Sequence, residues 1–294
     1  MYEQIERNVW VSRLLLGLFI LLIAALGYVF GQVYDWGYLG LTAAAVVAAA
    51  GALGSYYYSD RVVLAISGAR EVTHEEYPFL HNTVEGLALA AGLPKPRVYV
   101  IADSAPNAFA TGRDPDHAAL AVTTGVLEKL NRLELEGVVA HELAHIQHYD
   151  IRLSTLVVVL VGIVALVSDW FWRAGRVSGG RRSRGGDRGG GPFLLLAFLL
   201  ALLAPLVAQL IRFAISRQRE YLADAGGAML TRYPEGLAAA LEKLDADREP
   251  LEAANKATAH LYIVNPLKEW GGTINGLFNT HPPITERVRR LRGM

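Results

Sequence analysis

Two long uncharged stretches near the start of the chain limit what it can fold into. Leu14 to Tyr34 is a run of 21 residues without a charge, and 24 more uncharged residues lie between Asp35 and Asp60. A helix needs about 20 apolar residues to cross the hydrocarbon core of a bilayer. Residues 1–59 therefore predict a transmembrane hairpin. A cleaved signal peptide is disfavoured because the first stretch is longer than the apolar core of such a peptide.

Two further hydrophobic segments are less regular. They run from Ile151 to Trp172 and from Phe193 to Ile215, and charged residues interrupt or flank both. Gly, Arg and Ser dominate residues 173–191 between them, a composition that cannot bury a core and predicts a loop. We expect about four hydrophobic helices in all, with 151–215 as a second membrane hairpin whose full crossing is left open.

The two polar regions, 60–150 and 216–294, together hold about 170 residues, which is enough for one soluble domain built from both. Periodicity and turn residues predict several elements in them: a helix at Glu75–Ala91, strands at Arg97–Ala102 and His117–Thr123, a helix from Asn131 and a helix at Pro234–Leu244. This mixture predicts an α+β domain whose two parts are separated by the second hairpin.

The composition excludes several kinds of site. Lys+Arg and Asp+Glu both number 28, so the chain has no general basic excess and we expect no nucleic-acid partner. Its 52% of hydrophobic residues rules out a disordered chain. The absence of cysteine excludes disulfides, thiolate nucleophiles and cysteine-ligated metal sites. A metal ion in this chain must be held by histidines and carboxylates.

The residues that carry chemistry are concentrated at His141-Glu142-Leu143-Ala144-His145, within the helix predicted from Asn131. Two histidines four residues apart project from one helix face and can hold one zinc ion, with Glu142 beside the open coordination position. There Glu142 would take a proton from water and pass it to the departing amine. This arrangement is typical of metalloproteases, although such a pattern also arises by chance on a solvated helix face.

A catalytic zinc ion needs a third protein ligand, normally from a different element. His148 is a poor candidate because one straight helix cannot surround a tetrahedral ion. Glu220 is a better one, and Asp224 lies one helical turn after it, where it could accept a hydrogen bond from a ligand histidine and orient the ring. Without the histidine motif, Glu220 and Asp224 would be interpreted as an ordinary acidic pair on a solvated helix face.

The chain resembles the M48 family of zinc metalloproteases. The resemblance covers nearly the whole chain and rests on four motifs in order: Asn107-Ala108-Phe109-Ala110-Thr111-Gly112, His141-Glu142-x-x-His145-x-x-x-x-Asp150, Glu220-x-x-x-Asp224 and Thr280-His281-Pro282-Pro283. It implies a membrane α-helical protein with an α+β zincin-like (gluzincin) domain, and an endopeptidase that removes misfolded or damaged membrane proteins. One Zn²⁺ per chain would be bound by His141, His145 and Glu220. The loop at 173–191 is longer and more basic than the resemblance leads us to expect.

The resemblance also implies roles for two other segments. Asn107, Ala108, Phe109 and Ala110 would form an edge strand that pairs with an extended substrate backbone. His281 would be catalytic, donating to the oxyanion that forms at the scissile carbonyl. From the residues alone, the first segment is equally well a structural strand or turn, and His281 is a solvated loop histidine.

Other functions are weighed against this one. A catalytically inactive membrane scaffold or zinc-binding adaptor has no need of a base such as Glu142 beside the metal. A CAAX-type prenyl-protein protease needs a larger multi-span chamber than four segments build. An intramembrane protease of the site-2 type carries its histidine motif in an apolar helix, whereas the flanks here, 131–136 and 147–152, are polar.

The distribution of arginines bears on membrane orientation. Arg7 and Arg13 precede the first hairpin, Arg61 follows it, and its turn carries no basic residue, which predicts a cytoplasmic protease domain. The arginines of 173–191 would favour the cytoplasm for their own loop, in conflict with full crossing of the second hairpin. We expect a multi-pass protein of the plasma or inner membrane, in contact with the lipid bilayer, whose active site faces the cytoplasm and acts on membrane protein substrates. The sequence does not specify an oligomeric state.

Overall fold

The computed structural model describes residues 2–33, 37–160, 162, 216–254, 258–266 and 281–294. Most of the secondary structure is helical. The helices are α1 (Tyr2–Val33), α2 (Tyr38–Ile66), α3 (Pro78–Ala90), α4 (Thr124–Lys129), α5 (Arg132–Gln147), α6 (described at residues 150–160), α7 (Arg217–Thr231), α8 (Pro234–Ala246) and α9 (Ile284–Leu291). The predicted helix at Pro234 is confirmed, whereas the one predicted from Glu75 begins at Pro78, since proline is favoured in a first helical turn.

The first two helices differ in whether they make a continuous membrane span. In α1, Ile5–Ala25 is long and apolar enough to cross a bilayer. α2 bends by 66° between Gly54 and Tyr56, at a Gly-Ser pair of the kind where helices kink, so its uncharged run is not one straight rod. The described part of the chain thus contains one such helix, or two if bent α2 counts as one span. The described residues therefore show one or two clear apolar helices and not the expected four, while most of the third predicted segment and all of the fourth lie outside them.

Helix α6 takes up the first half of the third hydrophobic segment. Its Leu153, Leu156 and Leu160 are buried in a cluster with Leu15 and Phe19 of α1. These leucines therefore pack against another helix of the protein. The rest of that segment, apart from residue 162, lies outside the described residues, as do the loop predicted at 173–191 and the segment predicted at 193–215.

A four-stranded sheet packs against the helices. The strands are β1 (Arg70–Glu71), β2 (Arg97–Ile101), β3 (Ala108–Gly112) and β4 (Ala118–Thr123), in the order β1-β2-β4-β3. β2 and β4 are parallel, and the other two pairs are antiparallel. The strands predicted at residues 97 and 117 are confirmed to within one residue at their ends. β3 lies at one edge of the sheet as described.

Both faces of the sheet are covered by helices. Leu120 and Val122 of β4 point into the larger core with α3, α5 and α8, while Ala119 and Ala121 point into a second core with the end of α2. This period of two is the expected alternation along a strand. The sheet is therefore buried on both sides, with α5 packed against β3 on one of them.

Helix α5 is the central element of the domain. Eleven of its 16 residues are buried, so neighbours surround it on nearly every side. It begins with a capping box: the Glu134 N–H donates to the Asn131 side chain at 3.0 Å, and the Asn131 N–H donates to the Glu134 carboxylate at 2.8 Å. This confirms the start predicted at Asn131. Gly137 lets α8 approach, since a Cβ there would lie 2.6 Å from the Leu237 nitrogen.

Candidate metal centre and active site

The two histidines of the α5 motif face a common point. The Nε2 atoms of His141 and His145 lie 3.2 Å apart, with the two rings perpendicular. Two nitrogens bound to one tetrahedral zinc at its usual bond length are separated by about 3.3 Å. The spacing of the two rings therefore fits a shared zinc ion.

Glu220 reaches the same point from α7. Its Oε1 is 3.6 Å from Nε2 of His145 and its Oε2 is 3.9 Å from Nε2 of His141. The Oε2 atom is buried and makes no aligned hydrogen bond, although Nη1 of Arg287 lies 3.5 Å from it. One ligand atom from each of the three residues lies within 4.8 Å of the others, and among the described residues His148 does not join this group. The three residues fit a metal ion bound from two helices.

The other ring nitrogens of the two histidines are held by carboxylates. Nδ1 of His141 is 3.0 Å from Oδ1 of Asp224, and Nδ1 of His145 is 3.0 Å from Oδ2 of Asp150. Such partners fix the tautomer, so that Nε2 presents its lone pair to a metal. Burial lowers the pKa of His141 to about 4, which keeps this ring neutral. The sequence predicts this orienting role for Asp224. It assigns no role to Asp150, which appears there only as the last residue of the histidine motif.

A tight turn brings Asp150 back to the helix that it follows. α5 ends at Gln147, and Tyr149 adopts a left-handed conformation with φ of 59° before α6 begins. A left-handed residue just past a helix end reverses the chain direction, although it is usually glycine. The turn places the Asp150 carboxylate beside His145, five residues earlier.

Glu142 is buried next to the two histidines, with 2% of its surface exposed. Burial raises the pKa of its carboxyl group to about 7, and the positive charge of His145 acts in the opposite direction. A metal ion bound nearby would lower this pKa, because an adjacent positive charge favours the carboxylate. A carboxyl group in this position can take up a proton from water and release it to a leaving group.

Packing of α7 against α5 depends on a glycine. A Cβ at Gly227 would lie 3.0 Å from the backbone nitrogen of His141, so a larger residue would push the two helices apart. The close approach lets Glu220 and Asp224, which lie on one face of α7, both reach the histidines. The sequence alone gave no reason to connect this glycine with the site.

His281 joins the cluster from the segment before α9. Its side chain is only 9% exposed, and Nδ1 lies 3.3 Å from Oε2 of Glu220 without hydrogen-bond alignment. The interpretation of His281 as a solvated loop histidine does not fit this position. Both ring nitrogens are buried and have no hydrogen-bond partner within the described structure. They are therefore available to a ligand in the site.

Sequence reasoning missed Arg287 of α9, which is completely buried. Its guanidinium donates to both oxygens of Asp224, at 2.6 and 2.9 Å, and to the carbonyl of Ile263 at 3.0 Å. A signal for it exists in the sequence. Arg287 falls on the helical stripe made by Ile284, Val288 and Leu291, and a charge on an apolar stripe needs a buried partner.

The start of β3 is already paired with another part of the chain. Ile263 donates its N–H to the carbonyl of Ala108 at 3.0 Å. The amide of Asn107 donates to the carbonyl of Val264 at 2.9 Å and accepts from the Val264 N–H at 3.3 Å. Ala110, by contrast, lines the cavity that contains His141, Glu142 and His281. The part of the predicted substrate strand that faces the candidate site is therefore its Ala110 end.

Comparison with known proteins agrees with this geometry. Residues 75–294 match the sequence model of peptidase family M48. A protein described as "Protease HtpX homolog" from Dictyoglomus turgidum is 46% identical over 293 residues, which cover all of this chain and 94% of the relative. One with the same description from Listeria monocytogenes is 43% identical over 306 residues and aligns over the full length of both.

The fold is shared with a solved structure. The crystal structure of Ste24p from S. mikatae superposes with a TM-score of 0.52 at 21% identity and covers 96% of this chain. This chain spans 66% of the length of that protein. At this identity the likeness shows the fold alone. The family match and the full-length relatives go further: the chain belongs to peptidase family M48 and is a metalloprotease.

Proposed function

We propose that the chain is a membrane-bound zinc endopeptidase in which one Zn²⁺ is held by His141, His145 and Glu220. The observation that carries the proposal is the pair of Nε2 atoms 3.2 Å apart, with the buried Glu220 carboxylate oxygens 3.6 and 3.9 Å from them. Zinc, when bound, supplies a Lewis acid that polarises a carbonyl and makes water more acidic.

Glu142 is the proton carrier of the proposed reaction. Its carboxylate takes a proton from the attacking water as the new C–O bond forms, and it returns that proton to the amine nitrogen as the C–N bond breaks. Because Glu142 is buried and not part of the three-residue ligand group, it serves the reaction without binding the metal.

Two further features of the site contact the substrate. His281, with unpartnered ring nitrogens beside Glu220, donates an N–H to the oxyanion that develops on the scissile carbonyl. The Ala110 end of β3 pairs with an extended substrate backbone, which requires an unfolded segment of the substrate. Asp224 acts through His141 by fixing the orientation of its ring.

The position of the site next to the membrane helices supports a role in membrane protein quality control. The helix with the two histidines leads within three residues into α6, which is packed against α1. Misfolded or damaged membrane proteins, whose loops are anchored near the bilayer, would reach the site easily. We place the chain in the plasma or inner membrane, multi-pass, with its site facing the cytoplasm.

The convergence of ligands also supports the proposed organisation of the chain. Residues 60–150 supply the two histidines, and 216–294 supply Glu220 and His281. These two regions are proposed to form one catalytic domain. Residues 1–59 and 151–215 are proposed to serve as its membrane hairpins.

The test is hydrolysis of casein by the detergent-solubilised full chain, with zinc content measured in parallel. Hydrolysis should stop with a chelator and return with added zinc. Glu142→Gln should abolish hydrolysis while zinc stays bound. Glu136→Gln, a change at a partly exposed position of the same helix, should leave activity unchanged. Bound zinc without hydrolysis in the unmodified chain would instead favour the adaptor, and cleavage confined to prenylated peptides would favour a CAAX-type protease.

A further inference from the structure

One side chain of the first helix reaches the back of the candidate metal site. Asn8 of α1 is 5% exposed. Its Nδ2 donates to Oδ1 of Asp150 at 2.7 Å and to the backbone carbonyl of His148 at 3.0 Å. Its Oδ1 accepts from the guanidinium of Arg219 at 3.3 Å. Asn8 precedes the uncharged run of α1, so it lies at the end of this helix next to the catalytic domain.

These partners fix the orientation of the Asn8 amide. A flipped amide would point its oxygen at the Asp150 carboxylate and at the His148 carbonyl, both of which are acceptors. As placed, both N–H groups and the carbonyl oxygen are used. A buried amide with every group satisfied holds its partners in a defined arrangement, and loss of one partner leaves a buried polar group unsatisfied.

The Asn8 partners belong to the two helices that supply the candidate ligands. Asp150 receives the Asn8 amide on one carboxylate oxygen and Nδ1 of His145 on the other, at 3.0 Å. Arg219 is the residue directly before Glu220 on α7. One amide of α1 therefore connects the turn after α5 with the start of α7.

We propose that Asn8 is a positioning residue for the metal: through Asp150 it fixes the ring of His145, so that zinc affinity depends on the docking of α1. This inference rests on the proposed ligand set. It makes the first membrane helix a part of the metal site in addition to an anchor. Displacement of α1 from the catalytic domain would then weaken metal binding.

The first test is zinc affinity of the full chain in detergent, measured by competition with a chelator of known affinity. Asn8→Leu has a similar volume but no hydrogen-bonding group, and it should weaken zinc binding about tenfold, the low end for outer partners of metal ligands. Ser12→Ala is the matched control. Ser12 is fully buried on the same helix, but among the described residues its hydroxyl bonds only to the carbonyl of Asn8, and its loss should change zinc affinity less than twofold.

A second variant replaces the donor with an acceptor. In Asn8→Asp the new carboxylate still pairs with Arg219 but faces the Asp150 carboxylate with no donor between them, so zinc affinity should fall. Repulsion between the two buried carboxylates should also lower the thermal unfolding temperature of the zinc-free protein. Added zinc should restore the kcat of both Asn8 variants, a rescue that damage to the fold would not show.

The route through Asp150 is tested by a double-mutant cycle. Asp150→Ala should itself weaken zinc binding, and adding Asn8→Leu should then have little further effect. An equal effect of Asn8→Leu in both backgrounds would overturn the proposal, as would unchanged zinc affinity in Asn8→Asp. These outcomes differ from failure of the proposed function, which would show as an unmodified chain that binds no stoichiometric zinc.

Discussion

Asp224 and Arg287 form an ion pair with two hydrogen bonds, at 2.6 and 2.9 Å, in the protein interior directly behind His141. Burial alone would raise the pKa of Asp224, but the charge and hydrogen bonds of Arg287 outweigh it and hold that pKa at about 2. The carboxylate therefore stays charged and accepts from Nδ1 of His141 at 3.0 Å. The orientation of this ring thus depends on an arginine 146 positions along the chain.

Replacing this arginine should be strongly destabilising. Arg287→Leu leaves the buried Asp224 charge without its partner, and breaking a buried pair in this way costs about 3–5 kcal/mol. The free energy of unfolding, measured by denaturant titration in detergent, should fall by that order. Arg289→Leu is the control, because its pair with Glu286 is exposed and screened by solvent, so the free energy of unfolding should change little.

The double variant Asp224→Leu/Arg287→Leu should recover part of that loss, since no unpaired charge remains. Its zinc affinity should nonetheless stay low, because His141 has lost its orienting carboxylate. A loss of stability that simply adds between the two single variants would contradict the coupling that the hydrogen bonds imply.

Glu220 and Asp224 lie one turn apart but should behave differently when replaced. Glu220→Ala removes a proposed direct ligand, so zinc should be lost on dialysis. Asp224→Asn removes an orienting charge and the charged partner of Arg287 but no direct ligand, so it should weaken affinity about 10- to 100-fold while still allowing full occupancy at high zinc. Metal content after dialysis and chelator competition separate the two cases. Full occupancy in Glu220→Ala would point to another ligand, and His148→Ala tests the nearest alternative.

His281→Ala should lower turnover without loss of zinc. Removal of one donor to a developing oxyanion costs about 10²–10³ in kcat, with little change in KM. His281→Gln keeps an N–H donor and should retain more activity than the alanine variant. Equal kcat in the alanine variant and the unmodified chain would return His281 to a structural role.

The parts of the site that could be predicted from sequence depend on local spacing. Asn131 and Glu134 define the start of α5, and the four-residue interval between His141 and His145 then places both rings on one face. Arg287 could have been found from the apolar stripe on α9 that it interrupts. Asn8 could not, because its partner Asp150 is 142 residues away and no periodicity connects them.

The number of membrane helices was hard to predict from sequence for a different reason. The length of an uncharged run gives the number of consecutive apolar residues. It does not show whether the helix that they form is straight or which residues pack against it. The run before Asp60 contains a 66° bend, and Leu153 and Leu156 face α1. Apolar length alone predicts the same membrane helix in each of these cases.

Membrane orientation is predicted from two conflicting sets of arginines. The flanks of the first hairpin place the catalytic domain in the cytoplasm. Residues 173–191 would then lie on the opposite side if 151–215 crosses the bilayer twice, although their arginines favour the cytoplasm. A shallow hairpin that does not cross would remove the conflict, so the position of this loop separates two arrangements of the chain.

The two arrangements can be distinguished with single cysteines introduced into this cysteine-free chain. Each cysteine is labelled in intact cells with a membrane-impermeant thiol reagent. Tyr38→Cys, in the first hairpin and 74% exposed, should be labelled. Arg248→Cys, on the exposed surface of the catalytic domain, should be labelled only after permeabilisation. Labelling of Ser183→Cys in intact cells means that the second hairpin crosses fully, and protection means that it is shallow. Labelling of Arg248→Cys in intact cells would overturn the cytoplasmic orientation, because the zinc domain would then face outward.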